Sequence, residues 1–99
     1  MKLHLGSRAR RQAEKKEAWW AANRPAAQGM FAREFRDTLA VLVTTPGAGV
    51  AWPTERRPTL RRILMPETQN HIYFRVDDTK QCVHVLAVWG VRRGRSSKR

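Results

Sequence analysis

Alternation of apolar and polar side chains predicts four β-strands, one at the start of the chain and three in its second half. The runs cover residues 1–5, 60–65, 71–76 and 82–89. Side chains of a strand point alternately to its two faces, so this pattern is typical of a strand with one buried face. Short polar turns join the last three runs, which predicts an antiparallel meander with the first run paired beside one of its strands.

The run 71–76 separates its side chains cleanly, with Ile72, Phe74 and Val76 on one face. The other face carries the polar set His71, Tyr73 and Arg75. We predict that helices cover the apolar face and that the polar face lies open, near whatever the protein binds. A plain solvated face is the alternative.

The last run is apolar on both faces. Val83, Val85 and Ala87 form one face, while Leu86 and Val88 lie on the other. Two apolar faces predict a central strand, or an open face that is partly covered by a partner.

A helical period of about 3.6 residues governs most of the first half. Residues 8–22 contain no Gly or Pro and are rich in good helix formers, and Ser7 can cap them. A break at Pro25 precedes a second predicted helix over residues 25–43, in which Gly29 either weakens the helix or permits close approach. Residues 50–58 read as an irregular loop. The order is β-α-α-β-β-β, an α+β fold with a helical hairpin packed on a small twisted antiparallel sheet.

Composition adds a strong positive charge to this small fold. The 99 residues suffice for one domain, and 20 Lys and Arg against 8 Asp and Glu give a net charge of +12. Such a balance attracts nucleic acid, an anionic membrane or an acidic protein. The predominance of Arg suits bidentate contacts to phosphate and carboxylate better than diffuse attraction to a membrane. Residues 89–99 carry a basic tail, whose end is either functional or a solvated terminus.

Several classes of function are disfavoured. Cys82 is the only cysteine, so no disulfide forms within the chain, and a buried thiol is a better interpretation than a nucleophile. His4 and His84 lack neighbouring ligands at metal spacing, and no cofactor motif is present. No secretory signal or membrane span is evident, so we expect a cytoplasmic protein without membrane contact.

Six segments of the chain, taken in order, carry a resemblance to a known family. They are Asn23-Arg24-Pro25-Ala26-Ala27, the helix through Phe31, Phe35 and Leu39, Pro46 and Gly49, Arg62-Ile63-Leu64, His71-Ile72-Tyr73-Phe74-Arg75-Val76, and Val85-Leu86-Ala87-Val88-Trp89-Gly90-Val91-Arg92-Arg93-Gly94-Arg95. Their order resembles the RelE/ParE superfamily, the toxins of bacterial type II toxin–antitoxin modules. The long helical hairpin is more similar to the ParE and plasmid-stabilisation branch than to the RelE branch.

The resemblance implies a growth-inhibiting toxin that an acidic antitoxin neutralises in a hetero-oligomeric complex. ParE-like members inhibit DNA gyrase, and we expect this chain to do so by binding rather than by turnover. The residues expected to bind the target or another anion are Arg61, Arg62, Arg75, Arg92, Arg93 and Arg95. The residues expected to contact the antitoxin are Phe31, Phe35, Leu86, Val88 and Trp89.

RelE-like members cut messenger RNA in the ribosome, and this endoribonuclease activity is the alternative. The candidate catalytic residues are then His71, Tyr73, Arg62, Arg75 and Arg92. Trp89 stands where many relatives have His and cannot transfer a proton, which favours binding. A third hypothesis is a basic nucleic-acid-binding module, although the chain lacks a zinc finger or aromatic-studded RNA-binding strands.

Overall fold

The computed structural model describes residues 1–91, in which two helices pack on one mixed β-sheet. The elements in chain order are β1 (Lys2–Leu5), α1 (Ser7–Asn23), a 3-10 turn (Pro25–Ala27), α2 (Met30–Thr44), β2 (Val50–Ala51), β3 (Arg61–Met65), β4 (Asn70–Asp77) and β5 (Cys82–Gly90). The α+β fold and the order of its main elements are confirmed. The structure adds the two-residue strand β2 within the predicted irregular loop.

The strands lie in the order β1-β5-β4-β3-β2. Strands β3, β4 and β5 form the predicted antiparallel meander, and β2 pairs antiparallel with β3. Strand β1 pairs parallel with β5, so the prediction of an entirely antiparallel sheet was wrong. The helical hairpin carries the chain away from β1, and the meander then returns β5 beside it in the same direction. Strand β5 therefore has a partner on each side, as its two apolar faces predicted.

The hydrophobic core lies between the helices and one face of the sheet. Ile72 and Phe74 of β4 are fully buried there, and Val76 packs at the margin, so the predicted apolar face of this strand is confirmed. The other large residues buried in this core are Phe31, Leu42, Met65, Val83, Val85 and Val88.

A β-bulge corrects the predicted faces of β5. Tyr73 pairs with Ala87 and Phe74 pairs with Val85, so Leu86 is an extra residue between two successive pairs. An extra residue shifts the alternation of all later side chains by one position. Val88 therefore joins Val83 and Val85 in the core, and the predicted grouping of Ala87 with those two valines was wrong.

Helix α2 begins at Met30, five residues later than the sequence pattern predicted. Gly29, which precedes it, has a φ of +87°, a left-handed conformation that glycine adopts without the steric cost of a Cβ atom. Residues Pro25–Ala27 form the separate 3-10 turn instead. The left-handed residue breaks what would otherwise be one continuous helix, so Gly29 starts α2 rather than weakening it.

A buried carboxylate joins α2 to the turn between β3 and β4. Glu34 accepts hydrogen bonds from the backbone N–H of Glu67 (2.7 Å), the backbone N–H of Thr68 (2.9 Å) and the Thr68 hydroxyl (2.7 Å). The Asn70 amide donates to the carbonyl and hydroxyl oxygens of Thr68. These bonds fix the start of β4, from which His71 and the rest of the polar face follow.

Neither helix within residues 1–91 combines the length and the apolar character that a membrane span requires.

Candidate functional site

The face of the sheet that points away from the helices carries the candidate site. Strand register and the alternation of side chains place residues of neighbouring strands in rows across this open face. The rows are Leu64, His71 and Trp89, then Arg62, Tyr73 and Ala87, then Arg75, His84 and His4. The polar face predicted for residues 71–76 is thus the middle of a larger surface.

Arg62 is held firmly at the centre of this face. Its Cζ atom lies 3.4 Å from the centroid of the Trp52 ring, a close cation–π contact. Its Nη1 donates a long hydrogen bond of 3.4 Å to the Tyr73 hydroxyl. The buried Nε has no hydrogen-bond partner. The N–H donors available to an anion are therefore the remaining ones on the two terminal Nη atoms, and not the buried Nε.

His71 lies beside this pair, with its ring centroid 6.0 Å from that of Tyr73. Burial, and then the positive charge of Arg62, lower the pKa of His71 below its ordinary value. The imidazole is therefore neutral near pH 7 and able to accept a proton. Leu64 and Trp89 flank it and are about half exposed. The row combines a proton acceptor with an exposed apolar surface.

The structure brings together only part of the predicted anion-binding set. Arg62 and Arg75 share the open face, but Arg61 pairs with Phe74 and lies on the opposite side of the sheet. There its Nη2 donates to the carbonyl oxygens of Gly47 (3.0 Å) and Gly49 (3.2 Å). These bonds anchor the loop between α2 and β3. The remaining members, Arg92, Arg93 and Arg95, lie outside the described residues.

The residues expected to contact an antitoxin are also divided. Phe31 and Val88 are fully buried in the core, so their side chains are not accessible to a partner, which corrects that expectation. Phe35 is half-buried and stacks on Phe31, with ring centroids 5.5 Å apart. Leu86 and Trp89 belong to the open face, on the opposite side of the sheet from Phe35.

A groove lined by arginines adjoins the Arg62 cluster, and the sequence analysis did not predict it. Arg8 from α1 and Arg56 with Arg57 from the loop before β3 line a cavity of about 670 Å³ that also includes Tyr73. A smaller cavity of about 150 Å³ shares Arg56 and Arg57 and adds Arg75. The adjacent residues Arg56 and Arg57 were the one sequence signal for this groove. Arg8 is distant from them in sequence, so its place beside them could not be predicted.

A second groove lies between the helical hairpin and the end of β5. It measures about 660 Å³, and Trp19, Trp20 and Lys16 line it together with Gly90. Trp20 packs against the core, whereas Trp19 is half exposed. Burial lowers the pKa of Lys16. The amphipathic lining of this groove is suited to an apolar side chain flanked by negative charge.

Two further observations concern metal binding and the histidines His4 and His84 of the open face. Within residues 1–91, no three His, Cys, Asp or Glu side chains are close enough to hold a metal ion together. The rings of His4 and His84 lie 5.5 Å apart on β1 and β5, and the buried Nε2 of His84 has no hydrogen-bond partner. This histidine pair belongs to the packing of the edge strand.

No family model matches the chain, and no curated protein is similar enough in sequence to match it. Solved structures do match its fold. A chain of the chromosomal ParDE toxin–antitoxin system of P. aeruginosa superposes with a TM-score of 0.76 and 16% identity, over 93% of this chain and 97% of that one. The isolated RelE toxin of E. coli gives a TM-score of 0.66 and 17% identity, over 94% and 86%. The RelBE2 complex of Mycobacterium tuberculosis gives 0.64 and 18%, over 91% and 90%. The chain therefore has the fold of the ParE and RelE toxins.

Proposed function

We propose that this chain is the toxin of a type II toxin–antitoxin module and that it arrests growth by binding DNA gyrase. The observation that carries the proposal is the agreement with the ParDE chain, which extends over 93% of this chain and 97% of that one. The long hairpin of α1 and α2, with 17 and 15 residues, supports the ParE-like branch.

The open face is the surface that we assign to the target. Arg62 and Arg75 supply positive charge, while Trp52, Leu64 and Trp89 supply exposed apolar area. Arginine and tryptophan are enriched among the residues that dominate binding energy in protein interfaces. Docking of this face and of the basic segment 92–99 onto gyrase, or onto its complex with DNA, would block strand passage or religation. Binding alone suffices for this mechanism.

An acidic antitoxin is the second partner that we propose. The net charge of +12 gives long-range attraction to a polyanionic segment, and such segments commonly fold when they bind. Complex formation would also cover exposed apolar side chains, including Trp19 and Trp89. With these two partners, we expect the chain to act in the cytoplasm.

The second candidate function is cleavage of messenger RNA on the ribosome, and one specific observation favours it. The structure brings His71, Tyr73 and Arg62 together on the open face, with the pKa of His71 lowered. A neutral imidazole can deprotonate a ribose 2′-hydroxyl for its attack on the adjacent phosphate, and Arg62 can stabilise the negative charge that develops there. The departing 5′-oxygen can take a proton from the Tyr73 hydroxyl or from water. The indole of Trp89, across from His71, contributes no proton transfer.

Induced expression in a bacterial host separates the two functions. Growth, plasmid supercoiling and messenger RNA integrity are measured in one culture for the wild type, His71→Gln and Tyr73→Phe. Gyrase inhibition predicts altered supercoiling with intact transcripts, and both variants remain toxic because they keep the charge and shape of the face. Rapid transcript cleavage that either variant abolishes would instead establish the ribonuclease function.

A matched pair of double variants tests which surface acts. Arg62→Ala with Arg75→Ala removes two charges from the open face, and Arg33→Ala with Arg36→Ala removes two exposed charges from α2. We expect only the first pair to lose toxicity. Equal loss in both pairs would mean that net charge, rather than this face, determines activity.

A further inference from the structure

Four arginines from three separate parts of the fold converge on the groove beside the open-face cluster. Arg8 comes from the first turn of α1, Arg56 and Arg57 from the loop before β3, and Arg75 from β4. The full lining of the two connected cavities is Arg8, Arg56, Arg57, Pro58, Thr59, Leu60, Arg75, Tyr73, Leu86 and Ala87. None of these residues is acidic, so the lining concentrates positive charge without internal neutralisation.

Apart from Thr59, the rest of the lining is apolar or aromatic. The Tyr73 side chain, the bulge residue Leu86 and the buried Leu60 contribute an uncharged surface between the arginines. The larger cavity of about 670 Å³ falls within the usual range of about 300–1,000 Å³ for ligand sites. A ligand that fits must therefore carry several negative charges along its length and present a flat or apolar part between them.

We propose that this arginine groove, lined by Arg8, Arg56, Arg57 and Arg75, binds the phosphodiester backbone of single-stranded nucleic acid. Guanidinium groups bind phosphate oxygens in a bidentate manner, and unpaired bases can pack against an aromatic or apolar surface. In duplex DNA the base faces are stacked within the helix and could not use Tyr73 or Leu86. An acidic polypeptide would match the charge but not the flat uncharged surface.

The assignment of the strand to DNA, and not to RNA, rests on the proposed inhibition of gyrase. If the chain acts on gyrase engaged with DNA, the groove holds an exposed DNA strand of that complex. The groove adjoins the Arg62 cluster through Tyr73, which lines the groove and accepts the hydrogen bond from Arg62. One surface would then contact the protein and the strand together.

Fluorescence anisotropy of the purified chain with labelled probes tests the groove. The probes are a DNA strand and an RNA strand of about 12 nucleotides, the matching DNA duplex, and a poly-glutamate peptide of similar charge. The variant is Arg56→Ala with Arg57→Ala, both exposed in a loop, so the fold should survive. The control is Arg33→Ala with Arg36→Ala on α2, which removes the same charge elsewhere.

We expect the single DNA strand to bind more tightly than the duplex or the peptide. The groove variant should weaken this binding about tenfold and reduce the slope of log K against log salt by about 1.4, because each phosphate contact on a single strand contributes about 0.7. The control variant should change the slope by less than half as much. An unchanged slope in the groove variant, or equal losses in both variants, would overturn the inference, as would tighter binding of the duplex or the peptide.

The probes also distinguish DNA from RNA, and binding of a strand in the groove from inhibition of gyrase. Equal binding of DNA and RNA supports a shared phosphodiester site, whereas a strong preference for RNA overturns the assignment to DNA. If the chain binds the strand through the groove but does not inhibit gyrase, the inference stands and the proposed function fails. If it inhibits gyrase without binding any strand, the inference fails and the proposed function stands.

Discussion

Removal of the Glu34 carboxylate tests how the fold fixes the start of β4. This side chain is buried and accepts three hydrogen bonds from the turn between β3 and β4, with lengths of 2.7, 2.9 and 2.7 Å. Glu34→Ala leaves the buried N–H of Thr68 without its acceptor. The Glu67 N–H lies nearer to the surface, so water can replace its partner.

The expected cost follows from these three contacts. A buried donor left without a partner costs about 1–3 kcal/mol, and hydrogen bonds to a charged group are worth about 1.5–3 kcal/mol each. The three bonds share one carboxylate and are not additive, and the desolvation of that carboxylate offsets part of the gain. We therefore expect Glu34→Ala to lower the free energy of unfolding by about 3 kcal/mol. Glu34→Gln should lie between the wild type and Ala, because its amide retains one acceptor oxygen.

Urea denaturation followed by circular dichroism measures this cost, with Glu67→Gln as the matched control. Glu67 is exposed and its side chain takes no part in the hydrogen bonds to Glu34, so its substitution should change stability by no more than about 0.5 kcal/mol. A loss below about 1 kcal/mol for Glu34→Ala would show that these hydrogen bonds do not stabilise the turn. An equal loss of stability in Glu67→Gln would show that the change in net charge, and not the lost hydrogen bonds, causes the effect.

Three further predictions concern single side chains. Burial, and then the positive charge of Arg75, lower the pKa of His84 in the folded chain. The unfolded chain therefore binds a proton at this histidine more readily than the folded chain does. The free energy of unfolding should decrease as the pH falls through about 6.5. Thermal melts at pH 7.5 and 5.5 should show a smaller acid-induced drop for His84→Gln, and an identical drop would contradict this. Gly29→Ala should destabilise by about 1 kcal/mol in urea melts because φ is +87°, and no change would exclude strain there. Trp52→Ala releases Arg62 from its aromatic partner, so toxicity should fall while urea stability changes little; full toxicity would show that this packing is dispensable.

The sequence predicted most of the fold because its strong periodicities correspond to buried faces. Ile72 and Phe74 alternate with polar residues over a run long enough to fix the face of β4, and the structure buries both. The bulge at Leu86 was not predictable, since an unpaired residue depends on the register with β4 and leaves no local signal. Gly29 indicated an irregularity in the predicted second helix. A glycine within an apolar helical pattern does not show whether its φ is positive, so the later start of α2 could not be predicted.

The candidate site was predicted less completely, for a geometric reason. Alternation placed His71, Tyr73 and Arg75 on one face, but adjacent arginines at 61 and 62 necessarily point to opposite sides of a strand. Arg61 was grouped with the open-face arginines because of its charge, although its position in the strand places it on the opposite face. The arginine groove depends on a loop folding back towards the start of α1, a long-range contact that no local pattern encodes.

A supercoiling assay with purified DNA gyrase and relaxed plasmid tests gyrase inhibition directly. We expect the chain to block supercoiling, an equimolar cognate antitoxin to restore it, and Arg62→Ala with Arg75→Ala to lose the effect. A parallel reaction with translating ribosomes should leave messenger RNA intact. Uninhibited gyrase together with cleaved messenger RNA would exclude gyrase as the target and establish the ribonuclease function in its place.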